Sequence, residues 1–170
     1  MKKIIGITAL VLFVAFAADA QSYKFGHINS DELIQALPEF DSASLQIENL
    51  QKDLINTLEL MSVELNNKSD SYNKESKNLT DIVRQTKEQE LVDLNRRIQE
   101  FQTNAQTQLQ NKQMELFQPI YTKVEKAIQD VGKENEFLYV FDIAKGVLLY
   151  FDTTMSIDIT PLAKAKLGLK

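Results

Sequence analysis

Between Ile47 and Leu79, apolar residues return every three or four positions: Ile47, Leu50, Leu54, Leu58, Met61 and Leu65, then Tyr72 and Leu79 at wider intervals. The same period resumes at Leu91, Leu94, Ile98, Phe101, Ala105 and Leu109, and it continues through Leu116, Ile120, Val124, Ala127 and Val131. Recurrence at three and four marks one face of an α-helix, and a narrow stripe held over this length is a coiled-coil seam. The extra steps of four act as stutters that relax the supercoil. Between the runs, residues 66–90 are the most polar stretch, and Asn78-Leu79-Thr80-Asp81 is the turn signal, with Thr80 or Asp81 placed to cap a second helix. The pattern predicts two antiparallel helices joined at a tip near 78–82, each arm about 35–40 residues and roughly 55 Å long. A single uninterrupted helix is disfavoured by the polar, capped break.

The period changes on either side. Tyr23-Lys24-Phe25-Gly26-His27-Ile28 alternates apolar with polar or small residues, the signature of a half-buried strand. Asn29 with Glu32 three positions on is a variant capping box, opening a short helix that Leu37-Pro38 must end. After the second arm, 137–143 and 147–151 are aromatic and β-branched runs separated by Ala144-Lys145-Gly146, which predicts a β-hairpin. Their apolar residues do not alternate, so both faces are expected to be buried. Thr160 before Pro161 predicts an N-cap with proline in the first turn, and Gly168 ends that final helix. The fold class is therefore α+β. A coiled-coil hairpin, 41–136, projects from a small β-rich body built from 21–40 and 137–170.

Residues 1–20 belong to neither part. Met1-Lys2-Lys3 is basic, 4–17 is apolar apart from Gly6 and Thr8, and Ala18-Asp19-Ala20 supplies small residues around a cleavage point. This is the pattern of a secretory signal peptide cut after Ala20. Its apolar run of about 14 residues is short of the roughly 20 that span a bilayer. No cysteine follows it to carry a lipid. The rest of the chain is expected to be exported. Without Lys2, Lys3 and Asp19 the chain keeps 17 basic and 23 acidic residues, a net charge of −6.

Composition narrows the chemistry. The absence of cysteine removes disulfides, thiolate metal sites and thiol nucleophiles, and a single histidine removes multi-histidine zinc sites. A pI near 5.0 argues against nucleic acid as a partner. No GxSxG elbow, HExxH motif, Glu-x-x-His pair or GxxxxGK[ST] loop occurs. Neither enzyme chemistry, nor a metal, nor a cofactor is expected, and His27 reads as a structural residue of its strand. Asn67-Lys68-Ser69 and Asn78-Leu79-Thr80 match the N-glycosylation pattern, and Asp41-Ser42-Ala43 and Asp152-Thr153-Thr154 resemble bacterial O-glycosylation sites. Patterns this short recur by chance.

A body this small is marginal alone, and a three-stranded sheet with two-sided apolar strands needs a second layer. Self-association supplies it, and Phe25, Ile28, Phe137, Tyr139, Val140, Phe141, Val147, Leu149 and Phe151 are the candidate residues of the self-associated body. Phe117, Tyr121 and Ile128 widen the second-arm stripe where it meets the body. Along the arms, Ile55, Leu60, Val63, Ile82, Val92 and Met114 lie off the seam and are candidates for contact with a partner chain. Pro119 removes a backbone donor inside the second helix. It reads either as a kink at a surface position or as a hinge that lets the arms splay.

The chain resembles the Skp (OmpH) family of periplasmic chaperones over its whole length. The residues that carry the resemblance begin with the signal peptide, Phe25-Gly26-His27-Ile28-Asn29-Ser30 and Leu37-Pro38-Glu39-Phe40. They continue with the polar coiled hairpin, the run from Gln113 through Pro119, Lys126-Ala127-Ile128 and Lys133-Glu134-Asn135. Tyr139-Val140-Phe141-Asp142 and Asp158-Ile159-Thr160-Pro161 complete the set. The resemblance implies a homotrimer with a barrel assembled from three chains and three helical arms around a cavity. It also implies that the cavity holds unfolded outer-membrane proteins without ATP and keeps them from aggregating, with transient contact at a membrane surface as a further partner. Well-studied family members are strongly basic, whereas this chain is acidic. Near the tip, Lys68, Lys74, Lys77, Arg84 and Lys87 are balanced by Asp70, Glu75, Asp81, Glu88 and Glu90. The alternative to a chaperone is a structural or adaptor coiled coil of the cell envelope, which would bind one folded partner instead of many unfolded ones.

Overall fold

A computed structural model describes residues 23–169. The expected signal peptide and its cleavage after Ala20 lie outside the described residues. The chain runs through β1 (Lys24–Ile28), α1 (Ser30–Gln35), α2 (Pro38–Glu75), a 3-10 turn (Ser76–Asn78), α3 (Asp81–Glu134), β2 (Phe137–Asp142), β3 (Ser156–Asp158) and α4 (Thr160–Leu167).

The helical boundaries follow local chemistry. The Asn29 carboxamide oxygen accepts the Glu32 amide at 3.2 Å and caps α1. Leu37 is extended, as a residue before proline must be, and Pro38 opens α2. The break falls where polarity places it: α2 ends at Glu75, Leu79 is extended, and Thr80 occupies the N-cap of α3 without a side-chain bond. The arms are unequal. The 38 residues of α2 span about 57 Å, and the 54 of α3 about 81 Å. The second arm exceeds the expected length because its stripe continues past the paired region into the body. There Ile120, Val124 and Val131 pack with Ile28, Leu33, Leu37, Ile159 and Ala163 in one core, and Phe117 and Ile128 border it.

The sheet has the order β2-β1-β3, with both pairings parallel. His27 lies opposite Phe141 on one side and Asp158 on the other. The predicted hairpin of 137–143 with 147–151 is therefore not formed, and Val147, Leu149 and Phe151 do not lie in a strand of this sheet. The free edge of β1 is taken by β3, because β3 leads directly into an anchored helix. Ile159 is fully buried and its amide bonds the His27 carbonyl at 3.0 Å, while the Asp158 carboxylate accepts the Thr160 amide at 2.9 Å. That carboxylate does the capping expected of Thr160, which is itself the first residue of α4, with Ile159 as its N-cap. Gly146, at φ 64, turns the chain after β2, but a run that is apolar on both faces has no layer to enter within one chain. Val147, Leu149 and Tyr150 are accordingly 83%, 97% and 81% exposed. Phe151 alone of these is half-buried, its ring against the outer face of β1 with its centroid 4.7 Å from that of His27.

The broken alternation in β2 has its own cause. Lys24 pairs with Phe137 and Phe25 with Tyr139, so Leu138 is an extra residue, a bulge. Phe137 and Val140 consequently face the core, while Phe25, Tyr139 and Phe141 stack on the outer face at centroid spacings of 6.4 and 6.0 Å. Gly26 permits this packing, since a Cβ there would meet Ile159 and Phe137 atoms at 3.2 Å.

Candidate binding surfaces of the arms and the sheet

The arm seam is real but uneven. Every seam residue predicted on α2 from Ile47 to Tyr72 is half-buried, and Leu94, Ile98, Ile120 and Val124 of α3 are buried. Between them Phe101, Ala105, Leu109 and Leu116 are only half-buried. The seam closes tightly at its distal third and at the body, and stays open between. A cavity of about 240 Å³ sits in the open part, lined by Leu54, Ile55, Leu58, Phe101, Ala105 and Leu109 and bordered by Gln51, Gln102 and Gln106. On the opposite flank a wider groove is lined by Leu50 together with Asn49, Asp53, Asn104, Lys112 and Glu115.

All six off-seam apolar residues are exposed, from Val63 at 48% to Ile82 at 80%. The structure does not gather them into one patch. Ile55 joins the apolar cavity, while Leu60, Val63, Ile82, Val92 and Met114 are distributed along the arms. The cavity-forming residues Leu54, Leu58, Ala105 and the three glutamines were not candidates from sequence, because a seam is read as closed. The available signal was the run of four-residue steps at 50-54-58 and 101-105-109.

At the base, Pro119 lies within an unbroken α3 and lines a second cavity with Pro38, Ser42, Ala43, Leu116 and Ile120. Its ring removes the amide that would bond the Glu115 carbonyl. Across this junction the Lys123 ammonium donates to the Glu39 carboxylate at 2.5 Å, and Phe40 packs on Phe117 at 5.5 Å. The Lys123 hydrogen bond holds the Glu39 carboxyl below its ordinary range.

The tip is a network of charge pairs. Lys68 lies within 4 Å of both Glu64 and Glu90, Lys87 lies 3.5 Å from Glu75, and Arg84 pairs with Asp81. The Tyr72 hydroxyl donates to Glu88, which raises the phenol above its usual value. Such exposed pairs fix little energy, but they tie the two arms together across the turn.

On the body, Asp142 has a positional role that the sequence did not signal. Its carboxylate accepts the Ser30 hydroxyl at 2.5 Å, the Ser30 amide at 3.2 Å and the Ala144 amide at 3.1 Å. It joins the end of β2 to the start of α1. His27 donates to or accepts from Ser156 Oγ at 2.9 Å, in keeping with a structural role. Asp158 is subject to opposing effects. Burial pushes its carboxyl up, but hydrogen bonds from Thr160, with His27 and Lys164 nearby, outweigh burial and hold it below 3.8. Among the described residues no helix is long and apolar enough to cross a membrane, and no cluster of three metal-ligating side chains occurs.

Comparison with known proteins gives three findings. The family model described as outer membrane protein (OmpH-like) matches residues 24–167. The chaperone protein Skp of Yersinia enterocolitica is 25% identical over 169 residues, covering 98% of this chain and 100% of that protein. The crystal structure of a Caulobacter crescentus protein described as an outer membrane chaperone (OmpH-like) superposes with a TM-score of 0.70 at 12% identity, covering 85% of this chain and 83% of that one. At that identity the structural likeness establishes the fold alone.

Proposed function

Because the chain belongs to the OmpH-like family of outer membrane proteins, we propose that it is an ATP-independent holdase of the periplasm. In this reading it binds unfolded outer-membrane β-barrel proteins between its arms and keeps them from aggregating. The working form is a homotrimer whose body closes into a barrel. The observation that carries the reading is apolar surface that one folded chain leaves uncovered in two places.

The first is the body. The outer face of β1 and β2 carries Phe25, Tyr139 and Phe141, and the segment that follows β2 exposes Val147, Leu149 and Tyr150. Apolar surface of this extent on a small body is the mark of an association face. Three copies, related by rotation, would provide the missing layer. The second is the arm. Ile55, Leu60, Val63, Ile82, Val92 and Met114 are spaced along it, and dispersed apolar contacts suit a binder of many sequences. Each would add on the order of 1 kcal/mol, less than the 1.5–3 of full burial, and several sites on three arms add by multivalency. Pro119 is the hinge through which the arms adjust to cargo of different size. The family's basic charge is absent, so capture rests on these contacts and not on long-range attraction.

The test is suppression of aggregation when an outer-membrane barrel is diluted out of urea. Replacing Ile55, Leu60, Val63, Val92 and Met114 together by Ser or Gln should weaken it, with trimer mass and helix content unchanged. Raising salt to about 0.5 M, where screening acts over a few Å, should not abolish it. Loss of activity in salt, with the five-site variant working normally, would mean that capture is electrostatic.

A further inference from the structure

The opening in the arm seam is written in the spacing of residues on both helices. Leu50, Leu54 and Leu58 on α2, and Phe101, Ala105 and Leu109 on α3, each take two successive steps of four. A step of four overshoots a full turn by roughly 40°, so both apolar stripes rotate out of the contact line. They emerge on the flank where Leu54, Leu58, Ala105 and Leu109 line the cavity with Ile55. Ala105, with a single methyl group, stands at the middle of the run and leaves the space unfilled. The opposite flank differs in carrying the charged Asp53, Lys112 and Glu115 beside Leu50.

We infer that this cavity seats one aromatic side chain of an extended, unstructured polypeptide, whose main chain is held by Gln51, Gln102 and Gln106. The inference rests on the client-binding reading above and gives it a site. Three observations select the occupant. The volume, about 240 Å³, suits a phenyl or indole group. An apolar cavity of about 150 Å³ already binds benzene. None of the nine lining residues is charged, in a chain of net charge −5. A charged guest would lose its hydration without gaining a partner, and an uncharged aromatic one would not. The border consists of carboxamides. An extended main chain offers unpaired donors and acceptors alike, and a glutamine side chain serves both, whereas a carboxylate or an ammonium serves one. Ile55, 55% exposed on the rim, covers the outer edge of a seated ring.

The mature protein, methyl-labelled, is titrated by NMR with the peptide Ac-GSGWGSG-NH2 and with the same peptide carrying Ala in place of Trp. The Trp peptide should shift the methyls of Ile55, Leu54, Leu58 and Leu109 saturably, and the Ala peptide should bind about tenfold more weakly or worse. Ala105→Leu fills the cavity and Ile55→Ser cuts its rim; each should weaken the Trp peptide about fivefold or more, leaving the Ile82 and Met114 methyls unaffected. If Ala105→Leu loses helix content, Ile55→Ser decides. Equal binding of the two peptides, shifts spread evenly over Ile82, Val92 and Met114, or indifference to the folded variants would overturn the site. Aggregation suppression by the wild-type protein separates this from the wider reading. Suppression without seating sinks the site alone, and seating without suppression sinks the holdase while the site stands.

Discussion

Asp142 and Asp158 do the same work at opposite edges of the sheet: each is a strand-end carboxylate that captures the first amides of a neighbouring segment. Asp142→Ala leaves the Ser30 amide and hydroxyl and the Ala144 amide without their acceptor, and should cost about 1–3 kcal/mol; urea unfolding followed by circular dichroism measures it. Asp158 adds a pH dependence. Its carboxyl is held below 3.8 in the folded chain, so its contribution is complete above that value and is lost as pH falls through the lower folded value. Melting temperature should drop over that acid window, and Asp158→Asn should be less stable at neutral pH and show a smaller acid-induced drop. Glu136 is the residue with a strained backbone, at φ 59 between α3 and β2. Glu136→Gly should stabilise by roughly 0.5–1 kcal/mol, visible as a raised denaturation midpoint.

The elements divide cleanly into what periodicity encodes and what it does not. The first arm has the expected length and the second runs beyond it to 54 residues, because its stripe of Leu, Ile and Val continues into the body; the tip falls at the polar break before Asp81. The capping of α1 by Asn29 and the start of α2 at Pro38 were equally local. The third strand was not legible. Residues 156–158 are short and mixed, and only their attachment to Ile159 and α4 brings them to β1, whereas 147–151 has the composition of a strand without a place in this sheet. The exposure of the six off-seam residues followed from their angle on the helix. The cavity beside Ile55 did not, because it depends on the seams of both helices rotating together. Register between the arms allows a direct test of their independence from the body. Lys68 faces Glu90, and Tyr72 meets Glu88, so 66–72 and 88–94 are matched segments. Deleting both should shorten the arm and leave the body folded, judged by retained protection of β1 amides in hydrogen exchange.

For the whole molecule, one chain leaves apolar surface uncovered at Val147, Leu149 and Tyr150, and the proposed trimer is what would cover it. Sedimentation equilibrium of the mature protein at micromolar concentration should give about three times the chain mass. Substituting Val147 and Leu149 together by Asp should yield a folded monomer, since both side chains stand clear of the chain's own core. A wild-type monomer would overturn the assembly. The parallel sheet bears on how such a chain comes into being. Ser30 and its acceptor Asp142 are 112 residues apart in sequence, and His27 and Ser156 are separated by 129. A chain emerging through a membrane amino end first would therefore display β1 long before either of its neighbours exists. The arms, whose contacts are local, can zip as soon as both have emerged, and the zipped hairpin brings 137 back to within reach of residue 30, removing most of the entropy of closing so long a loop. Until β3 arrives near the carboxyl end, a chain released in that order is an incomplete sheet with an open edge, in the same predicament as any unfolded chain it would be called on to hold.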